Sequence, residues 1–159
     1  MKITKRLYLA SLALAFSSNA LAWTTDTSDN VWRSGWGMGV SEAEVTSGSG
    51  NTIYVACTDP ENFGGSSISI SLVGDTTKNG KFFAQFDGGK LEEFQTNSDG
   101  YVVSNNRAAA ATFTYLLEKF KKHQKVYIRF PNGHEATFTL RGAKKALGNE
   151  ENCKAAFYY

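Results

Sequence analysis

The sequence predicts a mainly β, α+β fold: an antiparallel β-sheet or sandwich, with one main helix packed on it and a short C-terminal helix. Two observations support this prediction. Short segments in which apolar residues alternate with polar ones recur about every ten residues, separated by glycine, asparagine and aspartate. The apolar spacing changes to that of a helix in one long stretch after residue 106. We expect residues 23–159 to form a single domain.

The first strand signals are weak. Residues 23–34 are rich in Thr, Asp and Ser, which predicts an extended entry segment. Residues 36–40 alternate apolar side chains with glycine, which predicts one strand that the glycines weaken. The SGSGN cluster over 47–51 predicts a turn.

The central strand signals are stronger. Ile68, Ile70 and Leu72 alternate with serines, so all three aliphatic side chains share one face of a strand. The same spacing predicts strands over 53–57, 82–86, 91–94, 101–103, 126–130 and 136–140. Residues 131–134 (Pro-Asn-Gly-His) join the last two as a hairpin.

Two helices are predicted. Four apolar residues at helical spacing define the main helix: Phe113, Leu116, Leu117 and Phe120. Asn105 or Asn106 is suited to cap its N-terminus. A shorter helix over 143–147 follows Gly142.

Residues 1–22 have the organisation of a cleavable secretory signal. A basic end precedes an apolar run over 7–16, and small residues at Ala20 and Ala22 form a cleavage site. The alternative is a membrane anchor, but an apolar run of about ten residues is too short to span the ~30 Å hydrocarbon core. We therefore expect a periplasmic or secreted bacterial protein, cleaved after Ala22 and without a membrane span.

The charge argues against a nucleic-acid partner. The whole chain has 17 Lys and Arg against 15 Asp and Glu, but three of the basic residues lie in the leader. Residues 23–159 therefore carry 14 basic and 15 acidic residues, a net charge of −1. The one basic cluster, Lys119, Lys121 and Lys122, falls at the end of the predicted helix, where the helix dipole favours cations. Nucleic-acid binding needs a basic surface that releases counterions, and this chain offers none.

The chain has two cysteines, Cys57 and Cys153. In an oxidising compartment such a pair predicts a disulfide, and the alternative is two buried thiols. Cys57 alternates with Ile53 and Val55, so its side chain is expected to point into the core.

No catalytic or metal-binding motif is recognisable. The two histidines, His123 and His134, fall at a helix end and in a hairpin, outside any metal-ligand spacing. Residues 75–80 begin like a calcium loop, but Phe86 stands where the bidentate Glu belongs. We therefore expect no enzymatic activity, no cofactor and no metal.

Acidic pairs leave a small hydrolase as an alternative. Paired carboxylates are the residues that a glycosidase uses, but a chain of this length has little room for a sugar cleft. We interpret them as solvated faces. The residues concerned are Glu42 with Glu44, Glu92 with Glu93, and Glu135 beside His134.

Aromatic residues give the main indication of a binding surface. Several cannot all point inward, because they alternate with core-facing neighbours; Phe82 and Phe83 must face opposite sides of a strand. Either the main helix covers the second face, or one face presents aromatic side chains to a partner. The predicted partner-binding residues are Trp32, Trp36, Tyr54, Phe83 and Tyr101.

Three motifs carry a family resemblance: the strand end Phe86-Asp87-Gly88-Gly89, the helix segment Tyr115-Leu116-Leu117-Glu118, and the stretch FTLRGAKKAL over 138–147 before the last Cys. Their order resembles small exported bacterial domains of the invasion-associated locus B type and the periplasmic accessory proteins of type VI secretion. The resemblance implies a β-rich fold, an internal Cys57–Cys153 disulfide, a turn at Gly142 and no known enzymatic chemistry.

These observations together predict an exported, non-enzymatic protein-binding domain, accessory to host interaction or secretion. The alternative is an inhibitor or immunity protein against a periplasmic or cell-wall enzyme such as a lysozyme. Known periplasmic lysozyme inhibitors use a Ser-Gly-x-x-Tyr loop, whereas here Ser49-Gly50 is followed by Tyr54, one residue too late. The identity of the partner and the oligomeric state stay open.

Overall fold

The computed structural model describes residues 23–24, 26–58, 65–148 and Cys153. The leader predicted over 1–22 lies outside the described residues. No helix in the described part of the chain is long and apolar enough to cross a membrane. The elements are β1 (Arg33–Gly37), β2 (Val40–Thr46), β3 (Thr52–Thr58), β4 (Ser67–Ser71), β5 (Lys81–Phe86), β6 (Leu91–Gln95), β7 (Tyr101–Val103), α1 (Arg107–Lys122), β8 (Lys125–Arg129), β9 (Glu135–Thr139) and α2 (Ala143–Leu147).

The strands form two antiparallel sheets, as the alternation predicts. One sheet has the order β1-β2-β3-β4-β7 and the other the order β6-β5-β8-β9. The sheets approach each other at β2 and β9, where the Ser47 hydroxyl donates a hydrogen bond to the Thr137 carbonyl (2.8 Å). The predicted fold class is therefore confirmed.

The inner faces of both sheets enclose one hydrophobic core. The two-residue period buries Ile53 and Val55 of β3 beside Ile68 and Ile70 of β4, while the residues between them stay half-buried on the outer face. The second sheet contributes its alternate aromatic and aliphatic residues to the same core, namely Phe82, Ala84, Phe86, Phe94, Val126, Ile128 and Phe138.

Helix α1 contributes its apolar side to the same core. Asn106 caps it by accepting a hydrogen bond from the Ala109 amide (3.0 Å). Its Phe120 ring packs against Trp32, which precedes the first sheet, and against Phe86 of the second. The buried side of the helix therefore belongs to the inner core, and the alternative in which the helix covers the second face of a sheet is wrong.

The disulfide joins Cys57 of β3 to Cys153, with a Cα–Cα distance of 4.7 Å. Both residues are buried, and because their sulfur atoms are bonded to each other, the alternative of two unpaired thiols is wrong. Helix α2 begins after Gly142, whose φ of 92° gives the turn that the resemblance implied.

The prediction of a single strand over 36–40 is wrong. Met38 and Gly39 have φ angles of 52° and 82°, and two successive left-handed residues reverse the chain between β1 and β2. The sequence hides this turn because methionine carries no turn signal and the glycines on either side mimic alternation. Strand β2, which the sequence did not predict, follows directly.

Candidate functional site

The most exposed apolar segment among the described residues is the turn between β1 and β2. We call residues 36–39 the hairpin tip. Met38 is 91% exposed and Trp36 is 51% exposed. Gly37 lies between them, and no other atom lies within 4 Å of a Cβ built on it. The backbone between the two side chains is therefore not covered by neighbouring residues. Trp36 is thus one predicted partner-binding residue that the structure leaves exposed.

Met38 adopts a backbone conformation that methionine rarely takes. Its positive φ, followed by a left-handed glycine, matches a type I′ hairpin turn, which normally uses Asn-Gly or Asp-Gly. The left-handed region costs a non-glycine residue about 1 kcal/mol or more. The hairpin therefore keeps an apolar side chain at its apex in spite of a local conformational cost.

Trp36 overlooks a groove on the core side of β1. It lies opposite Ser41 in the sheet register, and Ser41 lies opposite Cys57. The groove has a volume of about 340 Å³, and Ala146 and Leu147 of α2 form its other wall. Cys57 also lines the groove, and its disulfide holds this part of β3 close to the chain that follows α2. The exposed apolar side chains of the hairpin tip thus lie next to this groove.

Two predicted residues share the outer face of the first sheet. Tyr54 and Tyr101 both lie opposite Ser69, one on each side of β4. Tyr54 is covered by the Trp23 ring (centroids 6.5 Å apart) and donates a hydrogen bond to Glu42. Burial, and then this hydrogen bond, raises the pKa of Tyr54 above its ordinary value. Tyr101 stays 39% exposed.

Trp32 is not available to a partner. Its side chain is buried, and its indole nitrogen donates a hydrogen bond to the Thr139 carbonyl (2.9 Å). The prediction for Trp32 is wrong because the polar segment around it conceals a long-range contact with β9, which no local pattern reveals.

Phe83 lies apart from the other predicted residues, on the outer face of the second sheet. It is half-buried, with Lys81 5.4 Å and Arg129 5.6 Å from the ring centroid. These cations cover the ring and gain a cation–π contact. The local packing accounts for Phe83 without a partner.

The members of the acidic pairs form ion pairs or hydrogen bonds with different residues. Glu44 forms an ion pair with Arg33, and Glu93 forms one with Lys81 (2.9 Å). Glu92 accepts hydrogen bonds from Tyr115 (2.5 Å) and Lys119 (3.0 Å). Partial burial raises the pKa of Glu92, but these hydrogen bonds and the Lys119 charge outweigh it, so the pKa lies below its ordinary value. Glu42 and Glu44 share the outer face of β2 beside Tyr54, whereas Glu92 and Glu93 are successive residues of β6 and point to opposite faces.

The histidines each meet one aspartate. His123 contacts Asp87 (2.9 Å), and His134 contacts Asp75 (3.2 Å). Among the described residues, no group of three or more His, Cys, Asp or Glu side chains is placed to hold a metal. Asp75 belongs to a tight turn bridged to Leu72, which gives the apparent calcium loop a structural explanation.

Met38 is a candidate binding residue that was not predicted from the sequence. A usable signal is present, since a Gly-Met-Gly segment between two strands has the turn glycine of a type I′ hairpin but an apolar residue where asparagine belongs.

Comparisons with known proteins add one finding. The family model of YfjT matches residues 30–147, a span that includes both sheets, both helices and the hairpin tip. No curated protein and no solved structure matches the chain.

Proposed function

The chain belongs to the YfjT family, and we propose that it is an exported, non-enzymatic domain that binds another protein through its hairpin tip. The observation that carries this proposal is the exposure of Met38 (91%) and Trp36 (51%) on one turn. Tryptophan is among the residues that contribute most to binding at protein interfaces, and methionine is enriched there.

The conformation of the turn supports a role for Met38. An asparagine at this position would fit the turn better, and it would not expose an apolar side chain. A residue that is unfavourable both for its backbone and for its exposure is a candidate for function. The adjacent groove supplies a site for a partner side chain beside Trp36, Ala146 and Leu147.

Two features support an extracytoplasmic location. The Cys57–Cys153 disulfide is of the kind that persists in oxidising compartments. The leader predicted over 1–22 provides the route of export. The resemblance to invasion-associated locus B domains and type VI accessory proteins suggests a role beside host interaction or secretion.

The narrow, protruding form of the hairpin tip also favours one specific alternative. A turn that projects two apolar side chains is suited to enter the cleft of an enzyme, so inhibition of a periplasmic or cell-wall enzyme is the second candidate function. A lytic enzyme that is captured by the hairpin tip and loses activity on binding would favour this alternative over an accessory role.

Site-specific photocrosslinking in a bacterial host that carries the gene tests the proposal. A photoreactive amino acid at position 38 is compared with one at position 73, because Val73 is also exposed (60%) and also occupies a left-handed turn. We expect a discrete protein adduct from position 38, lost on Trp36→Ala, and none from position 73. Equal adduct patterns from both positions, or no adduct at position 38, would contradict the proposal.

A further inference from the structure

We propose that a second site, the cleft between β6 and β7, binds an extended peptide segment of a partner protein by main-chain hydrogen bonding. The cleft has a volume of about 390 Å³. Its walls are β6 and β7, and its floor is the first part of α1. It is independent of the hairpin tip and shares no lining residue with the groove beside Trp36.

On the side of the cleft, no strand of the described residues pairs with β6. The Thr96 amide donates a hydrogen bond to the Gly80 carbonyl (3.0 Å), which fixes the direction of the backbone groups along this strand. In an antiparallel pair, successive residues point their N–H and C=O groups to opposite sides. Glu93 and Gln95 therefore point theirs away from β5 and toward the cleft.

The wall formed by β7 directs fewer open main-chain groups into the cleft. The Ser104 amide donates a hydrogen bond to the Ser66 carbonyl (3.0 Å). By the same alternation, Val102 directs its backbone groups to β4, whereas Tyr101 and Val103 direct theirs toward the cleft. The Tyr101 amide already donates a hydrogen bond to the Asn97 side chain (2.9 Å), and its carbonyl accepts one from the Asn97 amide (2.9 Å). The cleft thus receives main-chain groups from Glu93 and Gln95 on the β6 wall and from Val103 on the β7 wall.

The closed end of the cleft shows how these edges pair. There the Asn97 amide donates a hydrogen bond to the Tyr101 carbonyl (2.9 Å), joining the two walls across the turn. Beyond this point β6 continues in one sheet and β7 in the other, and no further β6–β7 pairing occurs among the described residues. An inserted strand would continue the pairing and connect the two sheets.

The geometry defines the occupant as a short, extended, proline-free peptide. The length of the walls allows it three to five residues, matching the three residues of β7 and the five of β6. The floor consists of small side chains, Ala108, Ala109 and Thr112, which leave room for the backbone of the peptide and for modest side chains. Tyr101, 39% exposed, offers an aromatic contact along one wall. This mode of recognition is β-strand addition, in which affinity comes from main-chain hydrogen bonds.

A phage-displayed library of random linear peptides, selected on the purified protein, provides the test. Enriched peptides are synthesised with a single N-methyl group at each amide in turn. We expect affinity to fall about fivefold to tenfold at the alternate amides that face β6, because N-methylation removes one main-chain donor and a strand directs alternate donors to one edge. Of the amides between them, only one, opposite Val103, should also be sensitive, because the Tyr101 groups already bond to Asn97. On saturation with peptide, the amides of Gln95 and Val103 should exchange more slowly with deuterium.

Two variants complete the test. Val103→Pro removes one donor at the open edge, where proline is tolerated, and should weaken the peptide about fivefold or more. Met38→Asn at the hairpin tip should leave the peptide affinity unchanged, which separates this site from the proposed function. Failure to enrich any linear peptide, or enriched peptides without an alternating N-methyl effect and without protection of Gln95 and Val103, would overturn the proposal. The peptide scan decides the matter even where Val103→Pro does not fold.

Discussion

Two turns of this protein have the same backbone form in different surroundings. Met38-Gly39 joins β1 to β2, and Val73-Gly74 follows β4. The first residues have φ of 52° and 55°, and the glycines have φ of 82° and 83°. Both turns place an apolar, exposed side chain where asparagine or aspartate is normal.

The Val73 turn is held by its neighbours. The Val73 amide donates a hydrogen bond to the Asn51 side chain (2.9 Å), and the Gly74 amide donates one to the Gly50 carbonyl (2.9 Å). A Cβ atom built on Gly50 would lie 2.8 Å from the Gly74 nitrogen, so the two turns are in direct backbone contact. The conformation of Val73 therefore follows from packing of one turn on another.

The Met38 turn has no comparable support among the described residues. No side chain there donates or accepts a hydrogen bond with Met38, and the side chain extends into solvent. An unusual left-handed residue therefore has two different origins in this protein. At Val73 tertiary contacts explain it, whereas at Met38 they do not, which is why we propose the hairpin tip as the binding site.

The largest effect is expected when the covalent tether near the Met38 turn is removed. Cys57→Ala, Cys153→Ala and the double variant should each lower the free energy of unfolding by about 4 kcal/mol, because each loses the same closed loop. The loop spans a sequence separation of 96 residues. Urea unfolding measures the loss, and thiol titration of the denatured, unreduced wild type should detect none. Wild-type unfolding that is indifferent to reductant would contradict the prediction.

The next largest loss of stability is expected when the contact between the Val73 turn and Gly50 is disrupted. Gly50→Ala should destabilise the protein by about 3 kcal/mol, since the added methyl group meets backbone and Gly50 has a φ of 77°. Gly74→Ala is the matched control: its φ is 83°, but nothing lies within 4 Å of the new Cβ. It should cost about 1 kcal/mol. Equal losses in thermal unfolding would show that turn packing is unimportant.

The Met38 turn and the Val73 turn are compared most directly when the same substitution is made in both. Met38→Asn and Val73→Asn should each stabilise the protein by about 1 kcal/mol, with the larger gain at Val73 because its side chain is β-branched. Only Met38→Asn should abolish the partner adduct in the crosslinking assay, with the photoreactive residue moved to position 37. Loss of binding in both variants, or in neither, would remove the functional distinction between the turns.

The smallest effect concerns a third turn of this form, Asp87-Gly88. Loss of solvent raises the pKa of Asp87, but hydrogen bonds from His123 and from the amides of Lys125 and Gln124 outweigh it, so the pKa lies below its ordinary value. A lowered folded-state pKa stabilises the protein above the ordinary Asp range, and this contribution is lost as the pH falls through the folded pKa. Asp87→Asn should therefore slightly lower the Tm near neutral pH, and the difference should shrink in acid. A difference that is constant with pH would contradict this assignment.

The hydrophobic alternation predicted most of the fold because strand and helix periods are local properties. The strands around Ile53, Ile68 and Phe82 and the helix around Phe113 lie where their spacing places them. The binding surface was only partly predictable. Trp36 and Tyr101 are exposed, but Trp32 is buried by a contact with Thr139, more than a hundred residues away in the sequence.

The sequence alone determined the fold class and the core-facing residues of the central strands, and it limited the cap of α1 to Asn105 or Asn106 and the two cysteines to a disulfide or a pair of thiols. These features depend on short-range spacing or on a choice between two outcomes. The tertiary structure decided how the strands divide between two sheets, that Met38 forms the apex of a turn, and that β6 and β7 face one another across a cleft. Those features depend on contacts between distant segments, because the orientation of a strand edge or a turn is fixed only when its neighbours are in place.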